Sequence, residues 1–250
     1  MAAIAADVDI ERSLRSSATG TTRSAADGAG RVPVIDMSRP DAAEAMWAAA
    51  TSVGFFTVTN HGVPDELIEN AFASSKQFFA RDLEAKQRES PFAPQLNSGF
   101  EYFSQIRPST GTADQKESLQ ITARAGAMDG RWPSEPEALQ PVARAMMEAS
   151  QRLAARILDM LEPRACPNLE RGTLQKSHTL WGPGGQCTLR LLHYPPTAPP
   201  EAGSNLWRAG PHTDWCCVTL LYQLPGPRAA SGSISVARMN RVSRRWRKCG

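Results

Sequence analysis

Apolar positions recur at helical spacing in the first two thirds of the chain and shift to short strand-like runs after Cys166. Val32-Pro-Val-Ile-Asp36 is a β-branched run with its proline near the start, where a strand tolerates one. Ser38 and Asp41 then offer N-cap oxygens, and Ala42 to Ser52 are mostly strong helix formers that stop at Gly54. Phe55 to Asn60 alternates as a strand and breaks at His61-Gly62. Pro64 and Asp65 open a second helix, in which Leu67, Ile68, Ala71, Phe72, Phe78 and Phe79 repeat at helical spacing. A polar, glycine-bearing stretch from Gln87 to Pro133 follows, and the chain then predicts a third amphipathic helix through Val142, Met146, Leu153, Ile157 and Leu161. Beyond it, Thr188 to Tyr194 and Cys216 to Leu224 read as strands, closed by Pro195-Pro196 and Pro225-Gly226. Helices first and strands afterwards predict an α+β fold rather than alternating βαβ units.

The chain has 250 residues, 41% hydrophobic and 21% charged, which suffices for a sizeable core and excludes disorder as the whole answer. Its longest apolar stretch, Ala45 to Phe56, is broken by Thr51, Ser52 and Gly54, well short of the ~18 residues that a spanning helix needs. No membrane span is expected. Residues 1–30 are rich in Ala, Ser, Thr and Gly, with acids among their arginines and no apolar signal core, and read as a flexible leader. Five cysteines with no CxxC spacing point to neither a disulfide framework nor a zinc ribbon, and fit a reducing, cytoplasmic compartment.

The net charge of +3 averages two unlike parts. Residues 227–250 hold seven basic and no acidic side chains, which leaves 21 basic against 25 acidic ahead of them. Any nucleic-acid or anionic-membrane partner is therefore a question about that tail alone, and short basic ends are more often simply solvated.

The candidate chemistry lies in His212-Thr213-Asp214. Of the four histidines, His61, His178, His193 and His212, only the last has a carboxylate at metal-ligand spacing, and in an extended segment residues two apart project to one face. An imidazole and a carboxylate there suit a divalent metal of intermediate hardness; the alternative is a strand-end His and Asp capping a turn. His61 reads as a turn residue satisfied by nearby backbone. His193 faces away from Tyr194 in its strand, and His178 reads as a strand residue without a role. Asp114 to Glu117 reads as a solvated charge cluster that orders its loop, and Tyr194 by itself as a strand-end aromatic on the core.

Several segments together resemble the isopenicillin-N-synthase-like branch of the Fe(II)/2-oxoglutarate-dependent dioxygenases. They are Val32-Pro-Val-Ile-Asp36, Gly54-Phe-Phe-Thr-Val-Thr-Asn-His-Gly-Val63, Asp114-Gln-Lys-Glu-Ser118, Trp132-Pro133, Arg190-Leu-Leu-His-Tyr-Pro-Pro196 and His212-Thr-Asp214 with Leu220-Leu221. The resemblance implies a double-stranded β-helix, or jelly roll, behind a helical N-terminal region. It implies Fe(II) held by His212 and Asp214, with 2-oxoglutarate as co-substrate receiving a hydrogen bond from Tyr194. It also implies oxidation of a small organic substrate by dioxygen as 2-oxoglutarate is decarboxylated to succinate.

The family pattern stops near Gly226. No histidine follows His212, so the distal histidine ligand and the Arg-x-Ser pair that grips 2-oxoglutarate are missing from this sequence; Arg241-Val-Ser243 matches those letters but stands too near Asp214. The expected organisation is a leader (1–30), the dioxygenase N-terminal region (31–165), the first part of a jelly roll whose barrel is incomplete (166–226) and a basic unstructured tail (227–250). With two protein ligands in place of three, weak iron binding and little turnover are expected. The alternative is a non-catalytic binding protein that uses its basic tail.

Overall fold

A computed structural model of the chain describes residues 32–106, 111–178, 184–185, 187–196 and 216–224, and the backbone of 234–237. Strand β1 (Val34–Asp36) leads into helix α1 (Ala42–Ser52) and strand β2 (Phe55–Thr59), followed by helices α2 (Asp65–Phe79) and α3 (Leu83–Glu89). Strands β3 (Gly99–Tyr102) and β4 (Glu117–Thr122) precede the long helix α4 (Leu139–Ala165) and the short α5 (Thr173–Lys176). Strands β5 (Thr188–His193), β6 (Thr219–Leu221) and β7 (Ile234–Ala237) complete the described elements.

Two sheets result, one ordered β1-β2-β7-β6 and the other β3-β4-β5, and they do not close into a barrel among the described residues. The α+β expectation holds, with one local exception: β1 and β2 pair in parallel across α1, a single βαβ unit. Helix α4 is long enough, ~40 Å, to serve both sheets. Leu139, Ala143 and Met147 pack with Phe78, Phe100, Leu119 and Ile121, while Ala149, Leu153, Ile157 and Leu161 pack with Ile35, Met46, Phe56 and Val58. The four-residue spacing within each set keeps it on one stripe of the helix.

The two N-terminal segments that carry the resemblance meet at the ends of β1 and β2. Asn60, at a φ of 52°, donates from Nδ2 to Asp36 Oδ1 at 2.8 Å, and Ser38 donates to the same oxygen from its N–H and its hydroxyl. These bonds, Asn60's first, hold the Asp36 carboxyl below its ordinary range. Gly99, at a φ of 103°, could not be another residue, because a Cβ there would lie 2.4 Å from the Pro91 carbonyl oxygen.

The structure departs from the sequence reading in six places. Residues 87–133 hold the end of α3 and the strands β3 and β4, which went unrecognised because β4 is buried on both faces and so lacks alternation. Asp114, Lys116 and Glu117 are buried, not solvated, because each acid has a lysine partner within 3.0 Å. Neither Ser38 nor Asp41 caps α1: Ser38 bonds Asp36, and Asp41 instead pairs with Arg39 at 3.0 Å. The strand expected over Cys216 to Leu224 spans only Thr219–Leu221. His178 follows α5 rather than lying in a strand, because Gly172 at a φ of 82° starts a helical turn there. Finally, residues 234–237 of the supposedly unstructured tail form β7 between β2 and β6, their Ile234 and Val236 supplying a short period-two pattern.

Candidate functional site

Strands β4 and β5 pair antiparallel from Glu117↔His193 to Thr122↔Thr188, and β3 pairs with the other edge of β4. Directly opposed residues share a face, so this register sorts the side chains into two sets. Phe100, Leu119 and Leu191 form one rung toward the core, and Tyr102, Glu117 and His193 form the next. Gly99, Gln120 and Arg190 form a rung of the opposite face, and Glu101, Ser118 and Leu192 another.

The core face carries a buried ionic cluster. Glu117 Oε2 accepts from Lys86 Nζ at 2.7 Å, and Oε1 lies 2.6 Å from His193 Nδ1. Both members of the ion pair are almost wholly enclosed, at 5% side-chain exposure for Lys86 and 4% for Glu117. Removing two charges from water is costly unless their remaining hydrogen-bonding capacity is met. Lys86 meets it by also donating to the Phe79 carbonyl at 3.0 Å, and its ammonium lies 5.1 Å and 5.9 Å from the ring centroids of Phe100 and Phe79. The imidazole of His193 in turn lies against Phe79, ring centroids 5.3 Å apart.

The opposite face is a chain of polar groups. Arg190 donates to Gln120 Oε1 at 2.7 Å, and Gln120 donates from Nε2 to Glu101. The hydroxyls of Thr122 and Thr188 are 3.0 Å apart, with Thr122 also donating to the Asn97 carbonyl at 2.7 Å. Gln120 is fully buried while Glu101 and Arg190 are half-buried, so an interior amide links a carboxylate and a guanidinium that both reach toward solvent.

Tyr194 is half-buried immediately beyond β5, and continued alternation puts it on the face of Arg190 and Leu192. His212 and Asp214 lie outside the described residues. Among the described residues no three His, Cys, Asp or Glu side chains are placed to hold a metal ion. The other histidines are engaged elsewhere: His61 Nδ1 accepts from the Val63 N–H at 3.1 Å, as the sequence reading expects of a turn residue, and His178 Nδ1 lies 2.6 Å from the Leu174 carbonyl. Away from the sheet, Arg81 and then the N–H and hydroxyl of Ser134 hold the Glu89 carboxyl down at about 2. That cluster locks α3 to the approach to α4.

Sequence reasoning assigns no role to Lys86, Glu101 or Gln120, and reads Glu117 only as part of a solvated charge cluster. The family-like segment carries both Lys116 and Glu117, but Glu117 pairs with Lys86 and Lys116 with Asp114, and a charge read without its buried partner looks solvated.

The fold is that of the 2OG-Fe(II) oxygenases. A full-length Neurospora crassa protein crystallised with alpha-KG superposes with a TM-score of 0.69 at 21% identity, covering 87% of this chain and 76% of that one. A 2OG-Fe(II) oxygenase family protein from Caulobacter crescentus gives 0.62 at 20% identity, with 86% and 75% covered. Residues 32–141 match the family described as non-haem dioxygenase in morphine synthesis N-terminal. A 2-oxoglutarate-Fe(II) type oxidoreductase of Emericella nidulans is 32% identical over 187 residues, 68% of this chain and 52% of the relative. The gibberellin 2-beta-dioxygenase of Phaseolus coccineus is 27% identical over 195 residues, 76% of this chain and 56% of the relative. The chain belongs to the Fe(II)/2-oxoglutarate-dependent dioxygenase family, and it spans about half the length of the curated relatives it matches.

Proposed function

We propose that this chain serves an Fe(II)/2-oxoglutarate-dependent dioxygenase that oxidises a small organic metabolite while 2-oxoglutarate is decarboxylated to succinate. The observation that carries this reading is the disposition of the histidines. In a chain with this fold, His61, His178 and His193 are committed to backbone and carboxylate partners, and His212 alone has an acid at ligand spacing.

The donor set fits the metal: a neutral imidazole and a carboxylate, completed by oxygen donors, suit Fe(II). His212 and Asp214 would hold it, and the bound metal with 2-oxoglutarate and dioxygen supplies the oxidising chemistry. Tyr194 would donate a hydrogen bond from its hydroxyl to 2-oxoglutarate. The polar row of Glu101, Gln120 and Arg190 lies on the same face as Tyr194 and turns hydrogen-bonding groups, rather than hydrocarbon, toward that side. No helix among the described residues is long and apolar enough to cross a membrane, and the cysteine pattern favours a cytoplasmic setting. The two sheets contribute to a jelly roll.

The test is succinate release from 2-oxoglutarate by the purified chain. Release that requires added Fe(II) and disappears in His212→Ala supports the reading. No release, or equal release in His212→Ala, contradicts it.

A further inference from the structure

We propose that the Lys86–Glu117–His193 cluster positions Tyr194 for 2-oxoglutarate, with Glu117 as the positioning residue and His193 as the side chain through which it acts. The inference rests on the reading of Tyr194 given above and adds three residues to it.

Three observations converge. The β4–β5 ladder ends at the rung Glu117↔His193, so Tyr194 is the first residue beyond the last paired position. Pro195 and Pro196 follow, and neither has an N–H with which to extend the ladder. The backbone pairing that orients the rest of β5 therefore stops one residue short of the side chain that needs placing. At that rung the side chains take over. Glu117 Oε1 lies 2.6 Å from His193 Nδ1, and the same carboxylate is held at its other oxygen by Lys86 at 2.7 Å. Lys86 is tied in turn to the end of α2 through the Phe79 carbonyl, while the Phe79 ring backs the imidazole.

The end of β5 is thus clamped to α2 and α3, with Glu117 bonded to the helical lysine at one carboxylate oxygen and to the strand histidine at the other. A carboxylate suits this place because it accepts from two donors at once, one on each oxygen. Its enclosure, 4% exposed, removes competing water and makes both bonds directional. Fixing His193 on one face fixes the backbone from which Tyr194 departs toward the other.

The experiment is a double-mutant cycle read by binding rather than turnover: calorimetric titration of the full chain with 2-oxoglutarate in the presence of Mn(II), a redox-inert probe. The variants are Tyr194→Phe, His193→Phe, their combination and His193→Gln, with melting temperatures recorded in parallel. His193→Phe keeps an aromatic ring against Phe79 and loses only the bond to Glu117. Its side chain is 43% exposed, so the fold tolerates the change. Each single Phe variant is expected to weaken 2-oxoglutarate binding about tenfold, the scale of one hydrogen bond to a charged group, and the combination no further. His193→Gln, whose amide can still donate to Glu117, is expected to bind within about twofold of the unaltered chain.

Losses that multiply to about a hundredfold in the combination overturn the proposal. So does wild-type affinity in His193→Phe, or a loss in His193→Gln equal to that in His193→Phe. A failure of the underlying reading looks different: the unaltered chain does not bind 2-oxoglutarate, or Tyr194→Phe binds it as well as the unaltered chain, and the positioning proposal then falls with it.

Discussion

The two faces of the β3–β4–β5 sheet are made by the same strands yet carry opposite chemistry. Toward α2 and α4, Phe100, Leu119, Ile121 and Leu191 interlock with Phe78, Phe79 and Met147, and one enclosed ion pair, Lys86–Glu117, sits at the edge of that apolar mass. Toward the other side, Glu101, Gln120 and Arg190 bond one another in a row and Thr122 meets Thr188. Apolar packing on the first face fixes where the strands lie, because Phe78, Phe100, Leu119 and Ile121 have lost their water. Hydrogen bonding on the second face can then vary without moving the sheet. Apolar packing and polar bonding are thereby assigned to opposite sides of one pleat, and Tyr194 follows the end of β5 on the polar side.

This division predicts a graded response to substitution. Phe78→Ala should cost most, about 4 kcal/mol, because a fully buried aromatic between two others leaves a cavity. Urea unfolding should show it, and a loss below ~1 kcal/mol would mean that the core face does not carry the sheet. Lys86→Met should follow at about 3 kcal/mol, since it leaves Glu117 enclosed without its cation. Adding Glu117→Leu should recover most of that loss, because the stranded charge goes with it.

On the opposite face, Gln120→Leu should cost only about 1–2 kcal/mol, the scale of its side-chain hydrogen bonds, and chemical denaturation would measure it. A loss as large as that of Phe78→Ala would erase the distinction between the faces. Smallest is a pH effect away from the sheet. Glu89 titrates at about 2 in the folded chain, below its unfolded value, so its contribution is complete above roughly pH 4.3 and is lost as pH falls toward 2. Glu89→Gln should remove about 1 kcal/mol at neutral pH and flatten the acid side of the stability curve across that window.

Much of the helical half was legible in the residues. The stops at Gly54 and at His61-Gly62 and the four-residue apolar spacing of α4 encode their elements locally, so pattern reading finds α1, β2, α2 and α4 within a few positions. The strands β3 and β4 were not legible, for two separate reasons. In β4, Ser118, Gln120 and Thr122 are buried like Leu119 and Ile121, so polarity no longer reports exposure. In Asp114 to Glu117, the fold buries Asp114 together with its near neighbour Lys116, and the partner of Glu117, Lys86, stands 31 positions away. Strand β7 was hidden by composition: Ile234 and Val236 stand among Ser, Gly and Arg, and their pairing with β2 depends on residues nearly 180 positions away. The candidate metal pair His212 and Asp214 rests on its spacing and on the family-like segments around it, and the candidate role of Tyr194 on the family resemblance alone.

The most direct measurement is an anaerobic calorimetric titration of the chain with Fe(II) in the presence of 2-oxoglutarate, repeated on Asp214→Ala. One ion bound per chain, with binding abolished in the variant, is the result this account predicts. No binding, or binding that Asp214→Ala leaves unchanged, would contradict it.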